Sequence, residues 1–374
     1  MSKPGHRLEV VHVASAPGED ARVLDPSDAL GDWPERVGWN PLDSVSSWDD
    51  AQSLARIMVE AGDSRMRINE TFWTEVAIGI LSPYLYAGAK SQASMADVIR
   101  WVQQRAEPEV LAEIEAVGDE NALNTAKSRW NTIEASKANG YITLGVAIAV
   151  WQLDKVQNLS AAESTFSFSK FFNRESNTLY VCAPPEAQRE YQAFFTLLLR
   201  LLLREAYASN RGFASSLLGL RGPIAAIEAS QGSVSPLLLV LDDAGSIGSI
   251  PDLGGVISTA AKAAIQLVTV FTDLSQMRAI YGEDSTRTMV NNHSTIMVFP
   301  GSHDPQTSEL VEHLLAGGES RGSGGERLTS EAVRRLPWGK ALCVTGNLVP
   351  EVVDLRSSMT TPQLLELRGL DASY

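Results

Sequence analysis

At 374 residues the chain is long enough to bury a large core and to hold about two domains, and 44% hydrophobic with 20% charged residues is the balance of a folded globular protein, not a disordered or fibrous one. A formal net charge of −14 disfavours non-specific binding of the free chain to nucleic acid, while local basic loops in an assembled ring stay compatible with DNA contact. Cys182 and Cys343 are the only cysteines and no histidine clusters with them, so they read as small buried hydrophobes of a reducing compartment and point away from a metal site.

The amino terminus shows no secretory leader, and Leu8 to Ala14 alternates like a strand. Arg22-Val-Leu-Asp-Pro is a second short strand, stopped at Asp25-Pro26. After Trp39-Asn-Pro-Leu, residues from Ser46 to about Gln157 read as helical. Ser47 is the expected N-cap of a helix over Trp48 to Ala61, with Asp49 and Asp50 in its first turn. A long helix opens at Asn69 and runs through Ala89, with Phe72, Val76, Gly79, Ile80 and Pro83 near one face and a kink expected at Pro83. Ser94 caps Met95 to Arg105, and two or three further helices reach Trp151. Thr178 to Ala183 is a strand, and Gln188 to Tyr207 is apolar almost all round, the mark of a buried helix. Its most apolar part, Ala193 to Leu203, is broken by Arg200 and falls short of the ~20 residues that a membrane span needs.

Leu237 to Leu241 is a short apolar run ending in two carboxylates, Asp242 and Asp243. A second such run, Ile265 to Phe271, follows a helix-like stretch of small residues from Leu253 to Ala264. Both read as strands buried on two faces, joined by a helix, hence parallel. Ligands of open α/β sheets bind outside the carboxyl ends of the strands, where the two acids fall. Beyond them, Thr295 to Gly301 is a strand and turn, Lys340 to Gly346 a last strand, and Val349 to Tyr374 trails off. Gly317 to Gly325 lacks the Lys-Ser/Thr of a phosphate loop and reads as a plain loop. His293 and His303 flank a strand without a nucleophile elbow and read as loop residues.

An apolar run ending in paired acids is also the Walker B pattern of nucleoside triphosphatases. Leu241-Asp-Asp-Ala-Gly-Ser-Ile-Gly-Ser-Ile-Pro-Asp-Leu, then Ile257-Ser-Thr-Ala, then Gln266-Leu-Val-Thr-Val-Phe-Thr-Asp-Leu-Ser-Gln with Tyr281-Gly282, resembles the TraG/TraD family of coupling ATPases of conjugation and type IV secretion. Trp39-Asn-Pro-Leu, Phe72-Trp73 and Gly301-x-x-Asp304-x-x-Thr307 resemble further segments of that family, so the likeness runs from about Arg22 to Leu367. The resemblance implies an α/β fold with a RecA-like, P-loop NTPase-type, mostly parallel sheet and an inserted all-α domain. Residues 1–45 and 161–374 would form the nucleotide-binding-type domain, and 46–160 the insertion. It implies ATP and Mg²⁺, with Asp242 on the metal, Asp243 polarising the attacking water and Thr272 at the nucleotide-sensing position. It also implies a hexameric, homo-oligomeric ring or assembly with a complete paralogue, relaxase or DNA as cargo, secretion-channel components as partners, and a cytoplasmic place at the inner face of the bacterial membrane, anchored by segments outside this chain.

Four departures qualify that reading. No Gly-x-x-x-x-Gly-Lys-Ser/Thr occurs in the sequence, so phosphates have no loop of backbone N–H groups and lysine to cradle them. Asp243 replaces the family's Glu, and a carboxylate one methylene shorter sets its oxygen back enough to cost ~10²-fold in rate. Thr272 replaces a glutamine, and Ala261-Lys262-Ala263 replaces a stretch that often holds an arginine, for which lysine is no equivalent fork. The expectation is a part of a DNA-transfer coupling protein whose intact form is an ATP-driven translocase, with weak or no ATP binding and no hydrolysis by this chain alone. The alternative is a non-catalytic adaptor that binds cargo or joins a complete coupling ATPase.

Overall fold

In a computed structural model, residues 9–14, 20–33, 35–63, 71–131, 133–162, 165–172, 177–209, 237–247, 250, 253–316, 328–357 and 361 are described. They fall into two compact units, one spanning Met1–Asp252 and Thr259–Val270, the other Leu253–Ser258 and Phe271–Tyr374. The Gly317 to Gly325 tract and most of the carboxyl-terminal tail lie outside the described residues.

The sheet of the first unit has five strands, β1 (Glu9–Ala14), β2 (Asp20–Leu24), β3 (Asn177–Ala183), β4 (Leu237–Leu241) and β5 (Ile265–Thr269). Their order is β2-β3-β1-β4-β5. β2 pairs with β3 and β4 with β5 in parallel, whereas β1 runs antiparallel to both its neighbours, so four of the five strands point one way. β4 alternates between fully and partly buried residues with none exposed. β5 departs from the expectation of burial on both faces. Ile265 is buried, but Gln266 is exposed and Val268 is 41% exposed, because among the described residues β5 is the edge of the sheet and one of its faces is open.

Seven helices follow Pro41–Ser44, a short 3₁₀ turn that Asn40 caps: α1 (Trp48–Asp63), α2 (Thr71–Lys90), α3 (Met95–Gln104), α4 (Glu107–Val117), α5 (Glu120–Trp130), α6 (Glu134–Ala147) and α7 (Asp154–Ser160). The caps are those that the sequence announces. Ser47 Oγ accepts from the Asp50 amide while the Asp50 carboxylate accepts from the Ser46 and Ser47 amides, and Ser94 and Asp97 form the same reciprocal box. α2 packs against five of the other helices and continues through Pro83. Its buried face carries Ala77, Ile78, Ile80, Leu81, Tyr84 and Leu85. Phe72 does not join that face: it is 62% exposed and meets Trp73 edge to face. Gly62 and Gly140 let the helices approach. A Cβ at Gly62 would stand 2.3 Å from the Ala147 Cα, and one at Gly140 would stand 2.6 Å from Ile80 and Val76 side-chain atoms. A chain of polar groups crosses the helical layer, with the Tyr84 and Tyr141 hydroxyls 2.8 Å apart and the Glu107 carboxylate accepting from Tyr141 and from Lys137.

The chain returns to the sheet through α8 (Phe168–Phe172), and α9 (Pro185–Gln188) and α10 (Gln192–Ser209) follow β3. α10 buries phenylalanines and leucines on all sides, as its composition predicts. Arg200, in the middle of the helix, reaches Glu60 of α1 at 2.5 Å. Trp39, 2% exposed, lies at the hub of an aromatic cluster with ring centroids 5.2 Å from Phe194, 6.1 Å from Trp151 and 6.1 Å from Phe168. Among the described residues no helix is long and apolar enough to cross a membrane.

The second unit holds an antiparallel sheet, β6 (Thr295–Val298), β7 (Lys340–Thr345) and β8 (Glu351–Asp354), in the order β6-β7-β8. β8 corrects the expectation that the chain simply trails off after Val349. Its four residues are too short a run to announce a strand, and pairing of Val352 with Leu342 secures it. The core of this unit is Val311, Leu315, Leu328, Val333 and Leu342, with Val298, Val344 and Val352 packed against it.

Trp39→Ala removes the hub of a fully buried ring cluster, so its expected cost is ~3–5 kcal/mol, read by chemical denaturation monitored by far-UV circular dichroism. A loss under about 1 kcal/mol contradicts the central role of Trp39.

Candidate functional site

The paired acids sit where β4 ends. Val270 N–H donates to Leu241 C=O at 2.9 Å, and Ala244 N–H donates to Val270 C=O at 2.8 Å, so two backbone bonds fasten the Asp242-Asp243 turn across the carboxyl ends of β4 and β5. A short helix, α11 (Ala244–Ile247), starts immediately after the turn, with Ala244 fully buried. This fixes the backbone on both sides of two side chains of which Asp242 is exposed and Asp243 partly so. Asp243 adopts φ +45°, left-handed backbone that costs a side-chain-bearing residue roughly 1–2 kcal/mol and that Asn and Asp tolerate better than longer residues. The turn thus offers a physical reason for Asp at this position in place of Glu.

The structure brings Asp242 and Asp243 together on one turn, while Thr272 belongs to the second unit. Thr272 is exposed, and its backbone N–H donates to Gln276 Oε1 at 3.0 Å. The glutamine that closes this motif is therefore engaged in holding the loop ahead of α13 (Leu274–Tyr281), which Asp273 caps. Lys262 is exposed on the 3₁₀ turn Ala260–Ala263, which follows α12 (Leu253–Thr259).

Asp242 suits Mg²⁺, an ion that takes one or two protein carboxylates and fills its remaining positions with phosphates and water. No group of three or more His, Cys, Asp or Glu side chains among the described residues forms an all-protein metal cage. Lacking a phosphate-loop pattern, the chain presents the acid side of such a site and not the phosphate cradle.

Asp304 in the Gly301-x-x-Asp304-x-x-Thr307 segment has a structural task. It caps α15 (Pro305–Leu315) by accepting from the Thr307 amide and hydroxyl at 2.8 and 2.7 Å, and it accepts from Ser275 Oγ at 2.6 Å. Burial pushes its pKa up, but the Ser275 and Thr307 hydrogen bonds outweigh it and hold the carboxyl down at about 2. His293 Nδ1 lies 2.7 Å from the Met289 carbonyl, and the exposed His303 lies beside Arg334.

Sequence reasoning does not find a cleft of about 330 Å³ between α1, α2 and α5, lined by Gln52, Ser53, Arg56, Glu75 and Arg129. Arg56 makes a two-pronged pair with Glu75 at 2.6 and 3.1 Å, and the Arg129 stem lies 3.2 Å from where a Gly79 Cβ would stand. No local spacing signals a site whose charges come from three helices.

Two predictions follow from this geometry. Asp243→Glu should cost about 1 kcal/mol in unfolding free energy and Asp243→Asn less, because only the longer side chain is at odds with the left-handed backbone; equal losses would remove that explanation of the Asp. For Asp304 the folded pKa of about 2 lies below the ordinary aspartate value near 4, so its stabilisation is complete above that ordinary value and is lost as pH falls from about 4 to about 2. In Asp304→Asn the unfolding free energy should vary less with pH over that window, and an unchanged acid limb would refute the assignment.

A family model described as type IV secretory system conjugative DNA transfer matches residues 11–318. Among solved structures, the plasmid coupling protein TrwB in complex with the non-hydrolysable GTP analogue GDPNP superposes with a TM-score of 0.64 at 17% identity, covering 91% of this chain and 75% of that one. TrwB in complex with ADP and Mg²⁺ gives a TM-score of 0.63 at 17% identity over the same shares. VirB4 of Thermoanaerobacter pseudethanolicus gives 0.50 at 11% identity, covering 93% of this chain and 84% of that one. At these identities the likeness is one of fold, an α/β P-loop NTPase architecture. Curated protein sequences gave no match. The family match spans most of the chain, and the chain belongs to the conjugative DNA transfer family of type IV secretory systems.

Proposed function

We propose that this chain is the acid-bearing part of a conjugative coupling protein and that its nucleotide site becomes complete only when another segment or subunit supplies the phosphate loop. The observation that carries this reading is the Asp242-Asp243 turn, fastened at the carboxyl end of a parallel strand pair with its first carboxylate exposed. In the completed site ATP and Mg²⁺ supply the phosphoryl group and the charge neutralisation. Asp242 holds the ion, Asp243 orients the water, and Thr272 takes the nucleotide-sensing position. Lys262, in place of an arginine, offers a point charge to a neighbouring subunit's nucleotide and not a planar fork.

The all-α segment 46–160 is, on this reading, the inserted domain, with residues 1–45 and 161–374 forming the nucleotide-binding-type domain. The insertion contacts the relaxase or DNA cargo, and the ring is a homo-oligomer or a mixed assembly with a complete paralogue at the inner face of the membrane. A second reading, a non-catalytic adaptor that joins a complete coupling ATPase, draws its support from the missing Gly-Lys-Ser/Thr together with Asp243, Thr272 and Lys262.

The test is Mg²⁺-ATP binding and turnover, first by the chain alone and then with a complete coupling ATPase of the same family whose own paired acids are replaced by Ala. The chain alone is expected to bind more weakly than about 1 μM, less than ~8 kcal/mol, and to release no phosphate. Turnover restored in the mixture and abolished by Asp242→Ala supports the completed-site reading. Co-assembly without restored turnover supports the adaptor, whereas sub-micromolar binding by the chain alone overturns both.

A further inference from the structure

One end of the three-stranded sheet in the second unit gathers positive charge and exposed rings, on a chain whose net charge is −14. Arg334-Arg335-Leu336-Pro337-Trp338-Gly339-Lys340, which joins the short helix α16 (Ser330–Arg334) to β7, carries three cations and no acid. Trp338 is 100% exposed, and Phe299, which follows β6, is 52% exposed. The two segments lie at the same end of the sheet, because Val298 pairs with Leu342 and Gly301 N–H donates to Arg334 C=O at 3.0 Å. Trp338 is not exposed by fraying. Lys340 N–H donates to Pro337 C=O at 3.2 Å and closes a tight turn, in which Gly339 supplies a positive φ of +86° at the third position. Leu355 N–H, just beyond β8, donates to Gly339 C=O at 2.7 Å, and Leu336 packs against the aliphatic core. The indole therefore stands out from a turn that is pinned on both sides. Arg334 and Arg335 share one carboxylate, Glu331, and Lys340 meets Asp354. Surface ion pairs of this kind are worth little, so phosphate oxygens can take the place of the carboxylates. Arg356, exposed two residues beyond Asp354, adds a fourth cation.

We propose that this turn is a contact for single-stranded DNA, with Trp338 stacking on an unpaired base and Arg334, Arg335 and Lys340 meeting the phosphates. Exposed rings interleaved with cations are the chemistry that holds a single strand, since every base has a face to stack and every nucleotide a charge to match. Guanidinium groups add two-pronged hydrogen bonds to phosphate. A duplex keeps its bases stacked inside and offers the indole no such face. An anionic membrane surface attracts the same cations, but insertion calls for aliphatic side chains beside the ring. Here Leu336 is packed into the core, and the exposed Leu348 and Val349 follow β7 at its other end. The proposal shares with the reading above only DNA as cargo, and it places the contact outside both the 46–160 insertion and the acidic turn.

Fluorescence anisotropy of a labelled oligothymidine of about 20 nucleotides with the full chain, at about 50 mM salt and without ATP, tests the proposal. Trp338→Ala should weaken binding at least about tenfold and Trp338→Phe about threefold or less, with Tm unchanged in both. Arg335→Ala should lower the slope of log K against log salt by roughly 0.7, whereas Arg287→Ala, which removes an equal charge from α14 (Glu283–Asn292), should leave the slope as it is. The same strand annealed to its complement should bind more weakly and should not respond to Trp338→Ala. No binding of the single strand, wild-type affinity in Trp338→Ala, or equal losses in Arg335→Ala and Arg287→Ala overturns the proposal. So does a Trp338→Ala defect confined to self-association or to binding of phosphatidylglycerol vesicles, which assigns the ring to a subunit contact or to a membrane. Because ATP is left out, failure here leaves the Asp242-Asp243 assignment standing.

Discussion

Helix α10 is apolar around most of its circumference, and a helix with so narrow a polar face has to be covered on nearly every side. That constraint joins the parts of the first unit. α10 packs against α1, against the 3₁₀ turn carrying Trp151, against α8, and against α11 behind the acidic turn. Phe194 brings it into the Trp39 cluster, and Arg200 is held to Glu60 of the helical layer. One buried helix thus ties the backbone behind Asp243 to the layer of seven helices. A shift in either is felt by the other through close-packed side chains, since such interiors transmit strain instead of absorbing it.

The acidic turn shows how local backbone and chemistry constrain each other. Its flanks are fastened by two main-chain bonds across β4 and β5, so the turn has little freedom to adjust to a different side chain. Asp243 in left-handed backbone is the residue type that such a turn tolerates. Read as a departure from the family pattern, the shorter acid looks like lost catalytic reach; read from the backbone, it relieves strain. Both follow from one φ value, and a glutamate here would trade local stability for reach.

The second unit is organised by different means. Its sheet is antiparallel, its core is a small aliphatic cluster, and Asp304 binds α13 to α15 by capping one helix while accepting from Ser275 on the other. A depressed carboxyl pKa is here the signature of a structural hub, because hydrogen bonds to the ionised form stabilise the fold in the same way that they stabilise a catalytic anion.

Much of the fold is legible in the chain because local chemistry decides it. The Ser47 and Ser94 caps, the all-round burial of α10, the strand that ends in Asp242 and its parallel partner follow from capping, periodicity and short apolar runs, which act over a few residues. The candidate acids were legible for the same reason, as they close a contiguous motif. Other features were settled only in three dimensions. The antiparallel placement of β1 between β3 and β4, the open face of β5, the short strand β8 and the exposure of Phe72 depend on which surfaces meet, and sequence spacing does not encode that. The Arg56–Glu75–Arg129 cleft likewise gathers residues far apart in the chain. The sequence by itself determined the elements and the motif, because hydrogen-bonded caps and hydrophobic periodicity are local. The tertiary structure decided the partners, the edges and the clefts, because burial and charge pairing are properties of surfaces that exist only once the chain has packed.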